Sequence, residues 1–402
     1  MVSKEKERAS RVLMKSALGR GSVDAVSQQM ASHPQYLESF LRAQHYILHM
    51  DGPLPLPCRH YIAIMAAARH HCNYLVYLHS AQFLRLGGDP LWLQGLEAAP
   101  PRLRLLDHIN KVLAHQPWLA ACSHIKTLLK CGESCWSLAE LVQAVVILAH
   151  CHSLCSFVFG SNADSGHPAP PSKSPNGTPP TLCPINIMSF GIDRLKFPKR
   201  TQIYFETSGR CLFFLQQFTV IFFCFFSDVE EDDEMMCFAD PSRFVTDPDF
   251  DYQDFARRDE DHFQVFRVQD YSWEDHGFSL ANRLYSDIGH LLDERFRSVT
   301  AVTSPHGPEL KRAVWNYIHC MLGIRYDDYD YGEVDRLLER DLKVYIKAVA
   351  CFPDPSRSSA RPLGWAPLKT SERIHVNLLI MEARLQAELL YALRAITQYM
   401  VA

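Results

Sequence analysis

The chain has no excess of basic residues: 41 Lys and Arg face 45 Asp and Glu across 402 residues, a net charge of −4. Nothing is therefore available to displace counterions from phosphate, which excludes a general nucleic-acid binder. The N-terminus has no apolar signal core, since Met1 to Arg11 is charged throughout, so no secretory signal is expected. One apolar run, Cys211 to Phe226 (CLFFLQQFTVIFFCFF), has 16 residues and is interrupted by Gln216 and Gln217. A bilayer needs ~18–20, so integral membrane insertion is not expected. The 13 cysteines are odd in number and irregularly spaced. Without a secretory route they should be mostly reduced, which places the chain in the cytoplasm with the nucleus as a second compartment. Structural zinc uses tight knuckles on turns. Cys131 and Cys135 alone suit that spacing, whereas Cys151 and Cys155, with His150 and His152, lie in an apolar helix pattern. No metal or cofactor is expected. The 19 histidines make net charge sensitive to pH near 6.5.

What remains is helix after helix, with no convincing strand alternation. Residues 35–48 and 59–86 are long apolar-periodic runs, the second stopped by Gly87-Gly88, and 101–114 and 119–130 follow. Ser137-Leu138-Ala139-Glu140 forms a capping box that opens an apolar run closed by Gly160. Residues 161–182 are Pro-, Ser- and Gly-rich without periodicity, and the acidic run 228–234 extends an irregular stretch to about 262. Such a composition buries too little apolar surface to offset chain entropy. Helical patterns resume at 278–298, 309–322, 333–350 and 371–400. The expectation is an all-α protein with helical domains at 12–160 and 263–402, joined by a partly disordered linker at 161–262. Residues 190–227, rich in Phe, Cys, Ser and Ile, have the composition that T-rich intronic DNA encodes, and read as a foreign insert.

Several strings have a common source. RHYIAIMAAARHHCNYLV, GGDPLWLQGLEAAP, INKVLAHQPWL and WSLAEL occur in the first half, and VQDYSWEDHGFSL, NYIHCMLGIRYDDYDYGE and EARLQAELLYALRAITQYM in the second. In these the chain resembles the sestrin family over nearly its whole length outside about 161–236. The resemblance implies two pseudo-symmetric helical subdomains like the alkylhydroperoxidase AhpD. It also implies a stress-induced role that restrains the growth kinase mTOR by binding the GATOR-two complex, which leucine releases in some members.

Three groups of residues carry those expectations. Cys72, Tyr74 and His79 match the family's hydroperoxide-reducing residues, where a thiolate must attack peroxide. In one straight helix, however, Tyr74 would face away from Cys72, and His79 would lie about 10 Å along the axis. The AhpD pattern Cys-x-x-Cys-x-x-x-His has Leu75 at its second cysteine here, so no local thiol resolves oxidised Cys72 and turnover should be slow.

Free leucine needs an anion for its ammonium, a cation for its carboxylate and an apolar floor. By resemblance Glu372 supplies the first and Trp365 the floor, with Leu310, His375 and Thr303 nearby. Lys311 stands where relatives carry arginine, which loses the planar fork. The lid after Thr303 is also shortened, so weak leucine binding is expected. The partner surface is assigned to Asp327 and Asp328, in a string of acids and tyrosines suited to an interface, and to Ser137, which is equally a predicted N-cap.

Overall fold

The computed structural model describes residues 7–13, 24–130, 132, 135–163, 240–255, 265–303, 307–354 and 369–402. The first half runs α1 (Ala25–Met30), α2 (Pro34–His49), α3 (Leu56–Arg69), α4 (Asn73–Arg85), α5 (Pro101–His115), α6 (Cys122–Leu129) and α7 (Leu138–Ser161). The second runs α8 (Phe278–Leu284), α9 (Ile288–Ala301), α10 (Gly307–Met321), α11 (Gly332–Leu337), α12 (Arg340–Cys351) and α13 (Thr370–Val401). Two-residue strands β1 (Phe266–Arg267) and β2 (Ile324–Arg325) pair in parallel and are a minor addition to an all-helical fold.

Local chemistry explains most helix ends. Pro34 and Pro101 open α2 and α5 in the first turn, where the missing N–H costs nothing. Asp24 caps α1 by accepting from the Ser27 amide at 2.7 Å. Gly160 does not close α7, contrary to the sequence reading; the left-handed cap is Asn162, with φ 54°. Gly160 serves packing instead. A Cβ there would lie 2.5 Å from Asn377 Oδ1, so only glycine lets α7 approach α13 this closely. Three runs expected as single helices are broken. The 59–86 run divides at His71 (φ 48°) and the 278–298 run at Asp287 (φ 62°), both residue types that tolerate left-handed backbone. The 333–350 run divides between Leu337 and Arg340.

The core is centred on α7 packed along α13. α7 is long and apolar enough to cross a bilayer, yet its apolar window is wholly buried inside the protein, as in the core helix of a large domain. The two halves were expected as separate domains at 12–160 and 263–402. They share one compact unit and one continuous apolar core instead, because each presents its longest helix to the other. The expected linker 161–262 is corrected in part. Residues 240–255 bridge both halves: Arg69 donates to the carbonyls of Thr246 (2.5 Å), Asp247 (3.2 Å) and Phe250 (3.2 Å), and Tyr252 donates to Met321 O (3.0 Å) while Asp254 pairs with Lys347 (2.6 Å). Residues 164–239, with the 190–227 insert and the 211–226 apolar run, and residues 256–264 lie outside the described residues.

Buried charges line α13 where it meets α7 and α9. Arg295 donates to Glu382 Oε1 through Nε (3.0 Å) and Nη2 (2.6 Å), and Tyr36 donates to the same oxygen. Arg384 donates to Glu388 Oε1 (2.8 Å), Ser156 Oγ (2.9 Å) and the carbonyls of Ala114 (2.8 Å) and Ala350 (3.0 Å). Removing one partner of such a pair leaves an uncompensated buried charge. Glu382→Ala is therefore expected to lower the unfolding free energy by about 3–5 kcal/mol, measured by urea denaturation with Glu294→Ala on the surface as a near-neutral control.

Candidate functional site

The break at His71 builds the thiol site. α3 ends at Arg69, His71 takes the left-handed turn, and Cys72 becomes the N-cap of α4, its amide donating to Ala67 O at 3.1 Å. A straight helix through this segment would not place the groups so. Cys72 is buried, and the buried Cys155 on α7 interacts with it. Cys151, one helical turn earlier, also interacts with Cys72 and stands on the same face of α7. Burial, followed by the neighbouring Cys72, holds the Cys155 thiol well above the ordinary cysteine range. Leu75, where AhpD has its second cysteine, is fully buried in the apolar core.

Tyr74 is also buried and within electrostatic reach of Cys72. Its hydroxyl accepts from the backbone amides of Ala25 and Val26 at the start of α1, and burial raises its phenol far above 10. His79 meets a different partner: its Nδ1 lies 3.1 Å from Nδ1 of His60. From His60 the rings continue to His49 (5.5 Å between centroids) and the exposed His45 (5.6 Å). Burial, then the neighbouring His79, His49 and Arg59, pushes His60 down to about 2.

Of the six residues considered above for zinc, the two histidines and the helical cysteine pair are placed in the core, and Cys135 is half-buried. His150 Nδ1 accepts from Arg295 at 3.1 Å, and His152 bridges Glu388 (2.8 Å) and Asn110 (2.9 Å). Cys151 and Cys155 face the thiol site, while Cys131 lies outside the described residues. Sequence reasoning weighed Cys151 and Cys155 only against metal. Their four-residue spacing on an apolar helix was the available sign that both point the same way into the core.

The expected amino-acid site gathers at the C-terminus of α9. Lys311 Nζ donates to the carbonyls of Thr300 (2.7 Å) and Val302 (2.6 Å), and His375 lies 3.0 Å from Val299 O. Burial lowers both the Lys311 amine and the His375 ring, the latter to about 4. Glu372 Oε2 accepts from the Lys369 amide at 2.9 Å, capping α13 at its own first turn. Leu310 is half-buried against the core, and Thr303 is exposed. Trp365 and the lid residues 304–306 lie outside the described residues. A cavity of about 210 Å³ between the end of α7 and the start of α13 is lined by Tyr345, Arg373, Ile374 and Asn377, without Glu372 or His375.

The acid-tyrosine string separates by side-chain type. Asp327 and Asp328 are exposed, Asp327 lying 3.5 Å from Arg267 in a solvent-accessible pair of little energetic weight. The tyrosines turn inward and brace the turn. Tyr329 is buried under Arg312, and the Tyr331 hydroxyl accepts from the Tyr326 amide at 3.1 Å. Tyrosine contact area for a partner, expected from composition, is thus largely spent inside. Ser137 caps α7: its Oγ accepts from the Glu140 amide at 3.2 Å, while Glu140 accepts from the Ser137 amide at 2.9 Å and forms an ion pair with Arg102 at 2.9 Å.

Acid titration should expose the buried rings. His70 accepts from Arg384 at 2.8 Å. Burial and the adjoining arginines hold both His70 and His150 well below the ordinary histidine range. Unfolding returns each ring to about 6.5, so the unfolded chain binds protons that the folded chain refuses. Stability is therefore full above about pH 6.5 and falls as pH drops, each ring contributing up to about 1.4 kcal/mol per pH unit. For His60 the loss continues towards about 2. Urea midpoints should fall steadily from pH 6.5 to 5, and His150→Gln should flatten the slope.

Comparison with known proteins agrees with this architecture. The chain matches the family model described as PA26 p53-induced protein (sestrin) over residues 1–188 and 215–400, which leaves 189–214 unmatched; of the 190–227 segment, 215–227 falls inside the match. It is 48% identical to mouse Sestrin-3 over 94% of this chain and 86% of that protein. Identity to human Sestrin-2 is also 48%, over 96% and 86%, and to mouse Sestrin-1 48%, over 96% and 84%. With family strings on both sides of one shared core, the chain belongs to the sestrin family.

Proposed function

We propose that this sestrin is a stress-inducible cytoplasmic regulator that restrains mTOR signalling by binding the GATOR-two complex. The observation that carries the reading is the exposed Asp327–Asp328 pair on a turn whose tyrosines are locked inside. A rigid, outward acidic edge steers a basic partner and sets its register with little ordering cost on binding. Co-precipitation tests it: Asp327→Ala/Asp328→Ala should lose GATOR-two while melting within a degree or two of the parent. Retained binding would count against this surface. Ser137→Ala serves as a contrast, because it removes a helix cap worth about 1 kcal/mol and should lower the melting temperature whether or not binding changes.

Leucine control is expected to be weak. The amine offered to a ligand carboxylate is already bonded to Thr300 and Val302, and the Glu372 carboxylate to the Lys369 amide. A bound amino acid must displace these bonds and receives no bidentate grip in return. Calorimetric titration should give no saturable heat at tens of micromolar leucine; a clear isotherm abolished by Glu372→Ala would reverse this conclusion.

A slow hydroperoxide reductase is the second reading, with Cys72 as nucleophile. It is supported by the placement of Cys72 at the amino end of α4, beside Tyr74 and two further thiols on α7.

A further inference from the structure

We propose that the cavity between the end of α7, one face of α12 and the start of α13 is a binding site for a short apolar monocarboxylate, with Arg373 as the cation that takes the carboxylate. The site is separate from Cys72 and does not use Glu372 or Lys311, so it goes beyond the regulatory reading above.

Shape carries the first part of the argument. The cavity has a volume of about 210 Å³. That is room for roughly eight to ten non-hydrogen atoms, since an apolar cavity of about 150 Å³ takes benzene. Phe159 from α7, Val349 from α12 and Ile374 from α13 are all buried and supply an apolar wall from three helices. A ligand with a hydrocarbon body of this size removes that wall from water.

Polarity carries the second part. At the end of α7 the backbone acceptors are already engaged. The Phe157 carbonyl accepts from Ser161 Oγ (2.7 Å), Val158 O from the Ala163 amide (3.1 Å) and Phe159 O from the Asn162 amide (3.4 Å). The Tyr345 hydroxyl is shared between Gly160 O (3.2 Å) and Oδ1 of Asn377 (2.6 Å), whose side chain is only 1% exposed. A strong donor remains. Arg373 lines the cavity from the first turn of α13, and among the described residues its guanidinium makes no ion pair or hydrogen bond.

The charge balance then selects the ligand. Among the described residues that line the cavity there is no Asp or Glu. An ammonium group would find no anion there and, at the end of α7, only carbonyls that are already bonded, so its desolvation would go uncompensated. A carboxylate instead meets a planar guanidinium able to grip both its oxygens, beside the positive end of a 32-residue helix. Arg373 is exposed while the apolar wall is buried. The ligand therefore enters tail first, and its charge stays at the mouth where it keeps part of its hydration. A zwitterionic amino acid is disfavoured for the same reason as an amine.

Calorimetric titration of the whole purified chain with sodium hexanoate tests the site. Hexylammonium chloride serves as a probe of equal length and opposite charge, and leucine as the zwitterion. Hexanoate should bind saturably with a Kd at or below about 1 mM, and the other two at least ten-fold more weakly. Arg373→Gln should weaken hexanoate at least ten-fold without moving the melting temperature, because the side chain is exposed, whereas Arg373→Lys should keep part of the affinity. Tyr345→Phe frees the acceptors at Gly160 and Asn377 and should narrow the gap between hexanoate and hexylammonium. The comparison of the three probes on the parent decides the ligand class even if a variant fails to fold. No saturation with hexanoate would overturn the site. Equal binding of hexanoate and hexylammonium, or hexanoate binding indifferent to Arg373→Gln, would overturn the assignment of the carboxylate to Arg373.

Discussion

The buried ion network carried by α13 and α9 and sealed by α7 is the constraint on which the rest of the fold depends. Arg295, Glu382, Arg384 and Glu388 are essentially removed from solvent, and charges so placed are tolerated only when every partner is present. The partners come from both halves of the chain: Tyr36, Ala114, His150, His152 and Ser156 from the first, Ala350 from the second. All four charges lie in the second half and pair there, Arg295 with Glu382 and Arg384 with Glu388, while the first half supplies the neutral hydrogen-bond partners that complete their burial. Without the first half those charges would lose part of their hydrogen bonding, which ties the two halves into one unit.

The network also extends outward. His152 joins Glu388 to Asn110, Asn110 bonds Asp107, and Asp107 accepts from the Thr246 amide at 2.7 Å. A continuous polar path therefore runs from the centre of α13 to the 240–255 segment. That segment in turn covers the end of α3 through Arg69, three residues before Cys72. Cys72 thus follows a turn whose preceding helix end is anchored by that segment. The acidic turn is rigid for a separate reason, since its tyrosines are used internally and its aspartates are left to solvent.

Local features of the sequence were legible. The starts of α2 and α5 follow from proline, and the Ser137–Glu140 box is a contact among neighbours in the chain. The role of Glu372 as a first-turn carboxylate belongs to the same class, for its partner is three residues away. Less legible were the breaks at His71 and Asp287, because histidine and aspartate permit a left-handed turn without demanding one. The ordered 240–255 segment was invisible: its polar, Pro- and Asp-rich composition reads as loop, and what orders it is carbonyl capture by an arginine far away in sequence. The charged residues of α13 stood in plain view within an apolar periodicity, yet periodicity alone does not say which partner waits on the facing helix.

By itself the sequence determined the all-helical class, the family, the capped start of α7 and the identity of the reactive thiol candidate, because each rests on local propensity or on contiguous strings. Only the tertiary structure decided that the two halves share one core, that Lys311 and Glu372 are bonded to backbone, and that Cys72 sits at a helix start beyond the His71 turn and not inside one long helix. Those outcomes depend on which distant helices pack together, and no local pattern in the sequence specifies that.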